Sequence, residues 1–298
     1  MTLPWRSLIY VPAHIEKFVS SPRILEADAV ILDLQDSVPG DAKAEARARI
    51  EAAARHLGGA GQNVLVRINE GKAVADKDLE VCVGAGIETL VVPQIRSVNE
   101  INQLDLRLSE LETGLNRVPG STKLLVLIES AAGIVSMAAI AKASSRIVAL
   151  NIGNEDLATD LGVAPTEDAL RVSRQLLVIA AVAAGVTPLG LVASGADFTD
   201  LDAYRLLAEG SRRLGFCGAS CIHPSQIAVL NKAFGPSAEE MAWAHHVLDA
   251  ARSAKTLGQA AFALEGRMID PPIVARAENI IQRHAVIEAR QLRRQPTG

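Results

Sequence analysis

The chain has 298 residues, 49% hydrophobic and 21% charged, with 34 acidic against 30 basic residues and a net charge of −4. Acids and bases are interspersed, so the basic footprint of a nucleic-acid binder is excluded, and the length suits one α/β barrel as well as two domains. Three cysteines in apolar or glycine-rich settings exclude a disulfide framework and fit a reducing compartment.

In chain order, the opening MTLPWRSLIY lacks the charged-then-apolar pattern of a signal peptide, so a cytoplasmic protein is expected. Eight apolar, β-branched runs follow at fairly even spacing: 7–12, 29–34, 63–68, 89–95, 123–128, 146–152, 187–194 and 219–223. Most are continuous rather than alternating, as parallel strands covered on both faces are. Ala-rich segments of helical spacing lie between them, such as 41–56 and 131–143. Eight strand–helix repeats predict a (β/α)8 barrel ahead of an open doubly wound sheet. Gly58, Gly59 and Gly61 precede a strand, so they mark a turn rather than a dinucleotide fingerprint. Residues 176–193 are long enough for a membrane span, but Gly185 and Pro188 break the run into a buried helix and a buried strand. No membrane partner is expected. Cys217, Cys221 and His223 lack a fourth ligand or second cysteine pair, which argues against zinc.

After the eighth run the pattern changes. An amphipathic helix is expected over 236–254, a looser stretch over 255–272, and a final helix from about 273 to 292. The expected organisation is a barrel over 1–235 and a helical extension and lid over 236–298, forming one structural unit. Arg290, Arg293 and Arg294 read as a solvated helix end.

Barrel enzymes draw their chemistry from the carboxyl ends of the strands. Those positions hold Asp33 and Asp36, Arg67 and Asn69, Gln94 and Arg96, Glu129, Asp156 and His223. Glu129 and Asp156 each follow a buried run, so two parallel strands would bring them out side by side. Two hard oxygen ligands with room for water and substrate suit Mg²⁺. Arg67 could grip a carboxylate or polarise a carbonyl through two parallel hydrogen bonds. Taken singly, Asp33 and Asp36 serve equally well as helix N-caps, and His223 equally well as a structural histidine.

These residues carry a resemblance. Arg6-Ser7 with Tyr10-Val11-Pro12, Asp33-Leu34-Gln35-Asp36, Val66-Arg67-Ile68-Asn69 and Val92-Pro93 come first. Ile128-Glu129-Ser130-Ala131, Gly153-Asn154-Glu155-Asp156-Leu157, Gly215-Phe216-Cys217-Gly218 with Ile222-His223-Pro224-Ser225-Gln226, and Gly266-Arg267-Met268-Ile269-Asp270-Pro271 follow in order. The chain resembles the citrate lyase β-subunit-like group of the HpcH/HpaI aldolase superfamily, which includes malyl-CoA and citramalyl-CoA lyases. The resemblance implies a TIM barrel holding Mg²⁺, or Mn²⁺ in its place, on Glu129 and Asp156. It implies Arg67 on the oxo-acid and Asp270 as general acid/base in a C-terminal lid, in its own or a neighbouring subunit's site. Asp36 joins them as a catalytic candidate, and Arg6, Lys17, Gln94, Arg96, Asn154 and Glu155 as candidates for binding substrate or CoA. A homotrimer or hexamer is implied.

The implied reaction is reversible C–C cleavage of a 3-hydroxyacyl-CoA thioester to an acyl-CoA and a 2-oxo acid. Alternatives are a metal-dependent aldolase on a free hydroxy-oxo acid, with metal-bound water or His223 as base, and a non-catalytic ligand-binding paralogue. The chain departs from the group's pattern at Gln35 (usually Glu), Gln94 (usually Lys), Ala13 (usually Gly) and Ser20 (often Lys). Arg96 would restore the cation lost at Gln94 if the fourth strand continued that far. Lys17 and Arg23 remain near the first loop.

Overall fold

A strand packed on both faces gains nothing from alternating apolar and polar residues, and the continuous Val, Ile and Leu runs become such strands. The computed structural model describes residues 3–293. Contacts divide the chain into two compact units, Leu3–Phe234 and a second from Gly235 onward.

The first unit alternates strands with helices. It opens with β1 (Ser7–Pro12), α1 (Glu16–Val19), β2 (Ala29–Asp33) and α2 (Lys43–Gly59). Next come β3 (Asn63–Arg67), α3 (Lys72–Gly84), β4 (Thr89–Val92) and α4 (Val98–Gly114). β5 (Lys123–Ile128), α5 (Ala131–Ile140), β6 (Ile147–Ile152), α6 (Asn154–Leu161) and α7 (Glu167–Ala184) follow. β7 (Thr187–Leu189), α8 (Leu201–Leu214), β8 (Ala219–Cys221) and α9 (Ser225–Ala233) complete it.

All neighbours in the order β7-β6-β5-β4-β3-β2-β1-β8 pair in parallel. Two hydrogen bonds join the ends: Cys217 N–H to Pro188 C=O and Gly190 N–H to Gly218 C=O, both 2.9 Å. The result is a (β/α)8 barrel. Strands four and seven stop short of their expected ends. Gln94 adopts φ 55° and Gly190 φ 153°, and neither conformation continues a strand.

Alternation along the strands splits the core in two. Leu8, Ala29, Ile31, Leu65, Val91, Leu125, Leu127, Ala149 and Leu189 point inward and, with Trp5, plug the barrel. Their neighbours Ile9, Val30, Leu32, Val66, Leu124, Val126 and Leu150 point outward under the helices. One step above the plug, the same inward parity selects Tyr10, Asp33, Arg67, Glu129 and Asn151. In the short β8, Ser220 lies between outward-packed Ala219 and Cys221.

Below the plug, a buried charge network ties α4 to the amino ends of β5 and β6. Arg146 donates to both Glu112 oxygens at 2.9 Å and to Asp105, and Glu112 also accepts the Gly120 and Thr122 N–H groups at 2.7 Å.

In the second unit, α10 (Ala238–Thr256) opens on a capping box formed by Ser237 and Glu240. The stretch expected to be loose contains a hairpin, β9 (Phe262–Leu264) and β10 (Arg267–Ile269). It turns through Glu265 and Gly266, both at positive φ. Strands of three residues are too short to show a period, which is why the sequence hides them. α11 (Pro271–Arg293) follows. Val247, Ile269 and Ala277 form a small core of this unit's own. Arg290 is buried rather than solvated, and Arg294 lies outside the described residues. Among the described residues, no helix is long and apolar enough to cross a membrane.

Burial opposes ionisation of Glu112, but its bonds from Arg146, Thr122 and Gly120 outweigh this and hold its pKa down to about 2. Its folded pKa lies below the ordinary 4.5, so its contribution is complete above 4.5 and fades as pH falls toward 2. Glu112→Gln should destabilise the barrel by about 3 kcal/mol in denaturant melts at pH 7, with the deficit shrinking below pH 4.

Candidate active site

The polar residues one step above the plug open into a cavity of about 210 Å³ at the carboxyl edge. Arg67 is its one cationic lining residue among those described, facing Glu129, Glu155 and Asp156.

Arg67 is fixed from below. Its Nε and Nη2 donate to the two oxygens of Asp33, both at 2.7 Å, and its guanidinium stacks 4.5 Å from the Tyr10 ring centroid. Asp33 is wholly buried and also accepts Gln35 N–H at 2.9 Å, Ser37 N–H at 3.0 Å and the Ser37 hydroxyl at 2.5 Å. Burial alone would raise the Asp33 pKa, but these donors outweigh it and lower it. Asp33 is thus neither a free acid nor an N-cap. Asp33 occupies the side-on Nε–Nη2 fork of Arg67, so any two parallel hydrogen bonds to a ligand come from another edge. The outer Nη1–Nη2 edge is what remains, with exposed Asp36 3.1 Å from Nη1.

Glu129 is 5% exposed and accepts the Gln94 N–H at 2.9 Å through Oε2. The positive φ at Gln94 aims that N–H, so the residue serves the site through its backbone. On the other side Glu129 packs on Gly153, where an added Cβ would lie 2.5 Å from Glu129 Cγ. Burial, opposed by the Gln94 N–H and reinforced by the charge of Asp156, raises the Glu129 pKa to about 7. Asp156, in the first turn of α6, is raised by burial and then by the charge of Asp36. Glu129 and Asp156 therefore repel one another on the rim of one cavity. Among the described residues no group of three or more His, Cys, Asp or Glu side chains clusters as a metal site. Two mutually repelling carboxylates, one protonated near neutrality, fit a hard divalent cation that keeps several waters or substrate oxygens.

Other expected contacts fall elsewhere. Arg6 precedes β1, at the opposite end of the barrel, and its guanidinium grips Asp28 at 2.8 and 3.0 Å. It staples β1 to the turn before β2 and does not reach the cavity. Asn154 lines the cavity, but its amide is spent within the protein. Its Nδ2 donates to Leu191 C=O and Ala193 C=O at 3.2 and 3.0 Å, and its Oδ1 accepts from buried Arg174 at 2.9 and 3.1 Å. It positions the loop after β7. Arg96 does not share a strand face with Gln94, because β4 ends at Val92; instead its exposed Nη2 donates to Gln94 Oε1 at 3.2 Å. Lys17 is exposed in α1, just beyond β1, and Glu155 is exposed at the cavity rim. His223 stacks on Phe198 and its Nδ1 meets the Ser225 hydroxyl at 2.8 Å; Ile222, not His223, lines the cavity.

Asp270 belongs to the second unit. It caps α11 through its Oδ1, which accepts Ile273 N–H at 3.3 Å. Sequence reasoning passed over Tyr10, Asn151 and Ser220, although each sits at inward parity in its strand. It also passed over Lys43, which donates to Leu34 C=O, Gln35 C=O and Asn69 Oδ1 and pins the loops after β2 and β3. No local pattern marks Lys43.

With this geometry in view, the likeness to known proteins is informative. Residues 6–224 match the family described as HpcH/HpaI aldolase/citrate lyase. The chain belongs to that family. The citrate lyase subunit beta of Haemophilus influenzae is 31% identical over 281 residues, covering 93% of this chain and 96% of that protein. The mitochondrial citramalyl-CoA lyase of Rattus norvegicus is 30% identical over 298 residues, covering 94% and 86%. A crystal structure of CitE from Mycobacterium tuberculosis, in complex with magnesium, acetoacetate and coenzyme A, superposes with TM-score 0.75 at 32% identity. It covers 94% of this chain and 97% of that one.

Two outcomes are expected of the metal-free protein. Ionising Glu129 costs stability, because its folded pKa exceeds the ordinary 4.5, so its contribution falls as pH rises from 4.5 to about 7. Glu129→Gln should therefore raise the melting temperature in EDTA at pH 8 and leave it nearly unchanged at pH 4. Gly153→Ala should keep the fold, by circular dichroism, while weakening Mg²⁺ binding by about tenfold to a hundredfold in calorimetry, since the new methyl displaces Glu129.

Proposed function

We propose that this chain is a Mg²⁺-dependent carbon–carbon lyase that cleaves a 3-hydroxyacyl-CoA, such as malyl-CoA or citramalyl-CoA, to an acyl-CoA and a 2-oxo acid. The observation that carries the reading is the pairing of Glu129 and Asp156 across one cavity from a clamped arginine. Family membership and the magnesium and coenzyme A named for the M. tuberculosis structure support it.

In this reading Glu129 and Asp156 hold the metal. Bound there, Mg²⁺ supplies positive charge to the oxygens of the acid half as the C–C bond breaks. Arg67 presents its outer edge to the substrate carboxylate, and Asp33 prevents the guanidinium from turning away. Asp36 is the exposed anion beside that edge, so substrate must displace it or share Nη1 with it. Leu127, Ile152 and Leu191 form the apolar part of the wall and limit water.

Cleavage needs a base to take the hydroxyl proton and an acid to protonate the thioester carbon left behind. Asp270 is assigned this acid/base work, with the segment from 236 onward as the lid that carries it, in its own or a neighbouring subunit's site. Lys17 and Arg96 are the exposed cations assigned to the CoA phosphates. The assembly is proposed to be a homotrimer or hexamer, and the compartment the cytoplasm.

The test is mass spectrometry of thioester products from purified protein with Mg²⁺, offered malyl-, citramalyl- and hydroxymethylglutaryl-CoA in parallel. A shortened acyl-CoA should appear with at least one of them and vanish in EDTA and in Glu129→Ala. Asp270→Asn should lower kcat by about 10²-fold or more and leave Mg²⁺ affinity intact. Intact thioesters throughout would overturn the reading.

A further inference from the structure

One part of the cavity has no assigned task. Asn151, on β6, is 4% exposed and lines the cavity. Its Nδ2 reaches only the Ser220 hydroxyl, at 3.4 Å, and its Oδ1 has no partner among the described residues. Both residues face inward one step above the plug, across the barrel mouth from Arg67. A carboxamide in an otherwise apolar strand, Ala149-Leu150-Asn151-Ile152, gains nothing from packing, and leaving half of it unpaired in the interior is unfavourable. Whichever way the amide is turned, one of its ends is left without a partner in the protein, in a residue that lines the cavity.

Charge narrows what can meet it. Arg67 is the one cation among the described lining residues, and Asp33 and Asp36 already flank it. A ligand with one carboxylate can pair with Arg67. A second carboxylate, reaching toward Asn151 and Ser220, would find an amide and a hydroxyl but no cation, with three acids on the same cavity.

We infer that Asn151 and Ser220 form the subsite for the substituent on the carbonyl carbon of the oxo acid, and that this acid is a monocarboxylate whose substituent is small, uncharged and able to hydrogen-bond. This rests on the lyase reading for the placement of the acid half, and it narrows that reading: glyoxylate and pyruvate, the acids of malyl-CoA and citramalyl-CoA, lack such a substituent and rank below an acid that carries one. A site built to pair with a polar group discriminates against analogues lacking it more sharply than an apolar pocket discriminates by size.

The experiment uses the full chain with Mg²⁺ and reads oxo-acid binding by calorimetry, with no thioester present. The probes are hydroxypyruvate, pyruvate, glyoxylate and oxaloacetate. Hydroxypyruvate should bind about tenfold more tightly than pyruvate, the worth of one neutral hydrogen bond, and oxaloacetate should bind most weakly. In Asn151→Leu, which keeps the branching and the number of side-chain heavy atoms, the preference for hydroxypyruvate over pyruvate should disappear. Ser220→Ala provides a milder second variant and should reduce the same ratio. Binding of oxaloacetate as tight as that of the monocarboxylates, ratios unmoved in both variants, or no binding of any oxo acid would each overturn the inference. Thioester cleavage is scored separately, so a lyase with the wrong acid preference sinks the subsite alone. The predicted preference without cleavage sinks the lyase reading alone.

Discussion

Everything at the mouth of this barrel is arranged around a salt bridge whose acid is sealed from solvent. Asp33 is buried and fully hydrogen-bonded, and it takes the inner fork of Arg67. Two charges in such a place hold their ground only if each is satisfied, because a lone buried ion would be expelled or neutralised. Ser37 and the Gln35 backbone complete the set around Asp33, and Tyr10 covers the guanidinium face. The loop after β2 is consequently folded around the carboxylate, and Lys43 ties the same loop to Asn69 from the other side. What faces the cavity is one rigid cationic edge. The acids on the opposite strands then have something fixed to work against.

Glu129 has a different kind of constraint. Its carboxylate is held by a single backbone N–H and by the lack of a side chain at Gly153. With little solvent and Asp156 nearby, it rests near its ionisation point at neutral pH instead of being fully ionised. The group is stabilised in place by geometry and destabilised by electrostatics. A site strained in charge and relaxed in shape is well suited to receive a cation.

Much of this was legible in the sequence because parallel strands leave a strong mark. Continuous β-branched runs at even spacing gave the barrel, and polar residues at or just past the ends of those runs gave Arg67, Glu129 and Asp156. The misses have particular causes. Arg6 and Asn154 belong to recurring motifs, yet each is consumed by an internal partner, Asp28 or Arg174, distant in sequence. Arg96 was placed by assuming that β4 continued, and the positive φ at Gln94 ended it. Asn151 and Tyr10 were hidden inside the runs themselves. A run read as uniformly buried conceals which of its residues face the plug and which face the helices. Only register separates them. The hairpin at 262–269 was missed because two strands of three residues carry no period.

The layering of the barrel has a consequence for its history. Ala149 belongs to the plug and Leu150 to the layer beneath the helices, whereas Asn151 is a member of neither apolar cluster. The same holds for Ser220, two strands around the mouth. Asp33 and Arg67 in the same storey are bound to each other, whereas Asn151 and Ser220 carry none of the plug's volume and seat no helix. A lineage built on this plan can acquire a new substrate by changing the storey above while inheriting the foundation unchanged. Divergence to about 30% identity across nearly the full chain, with the barrel intact, is what such a separation permits.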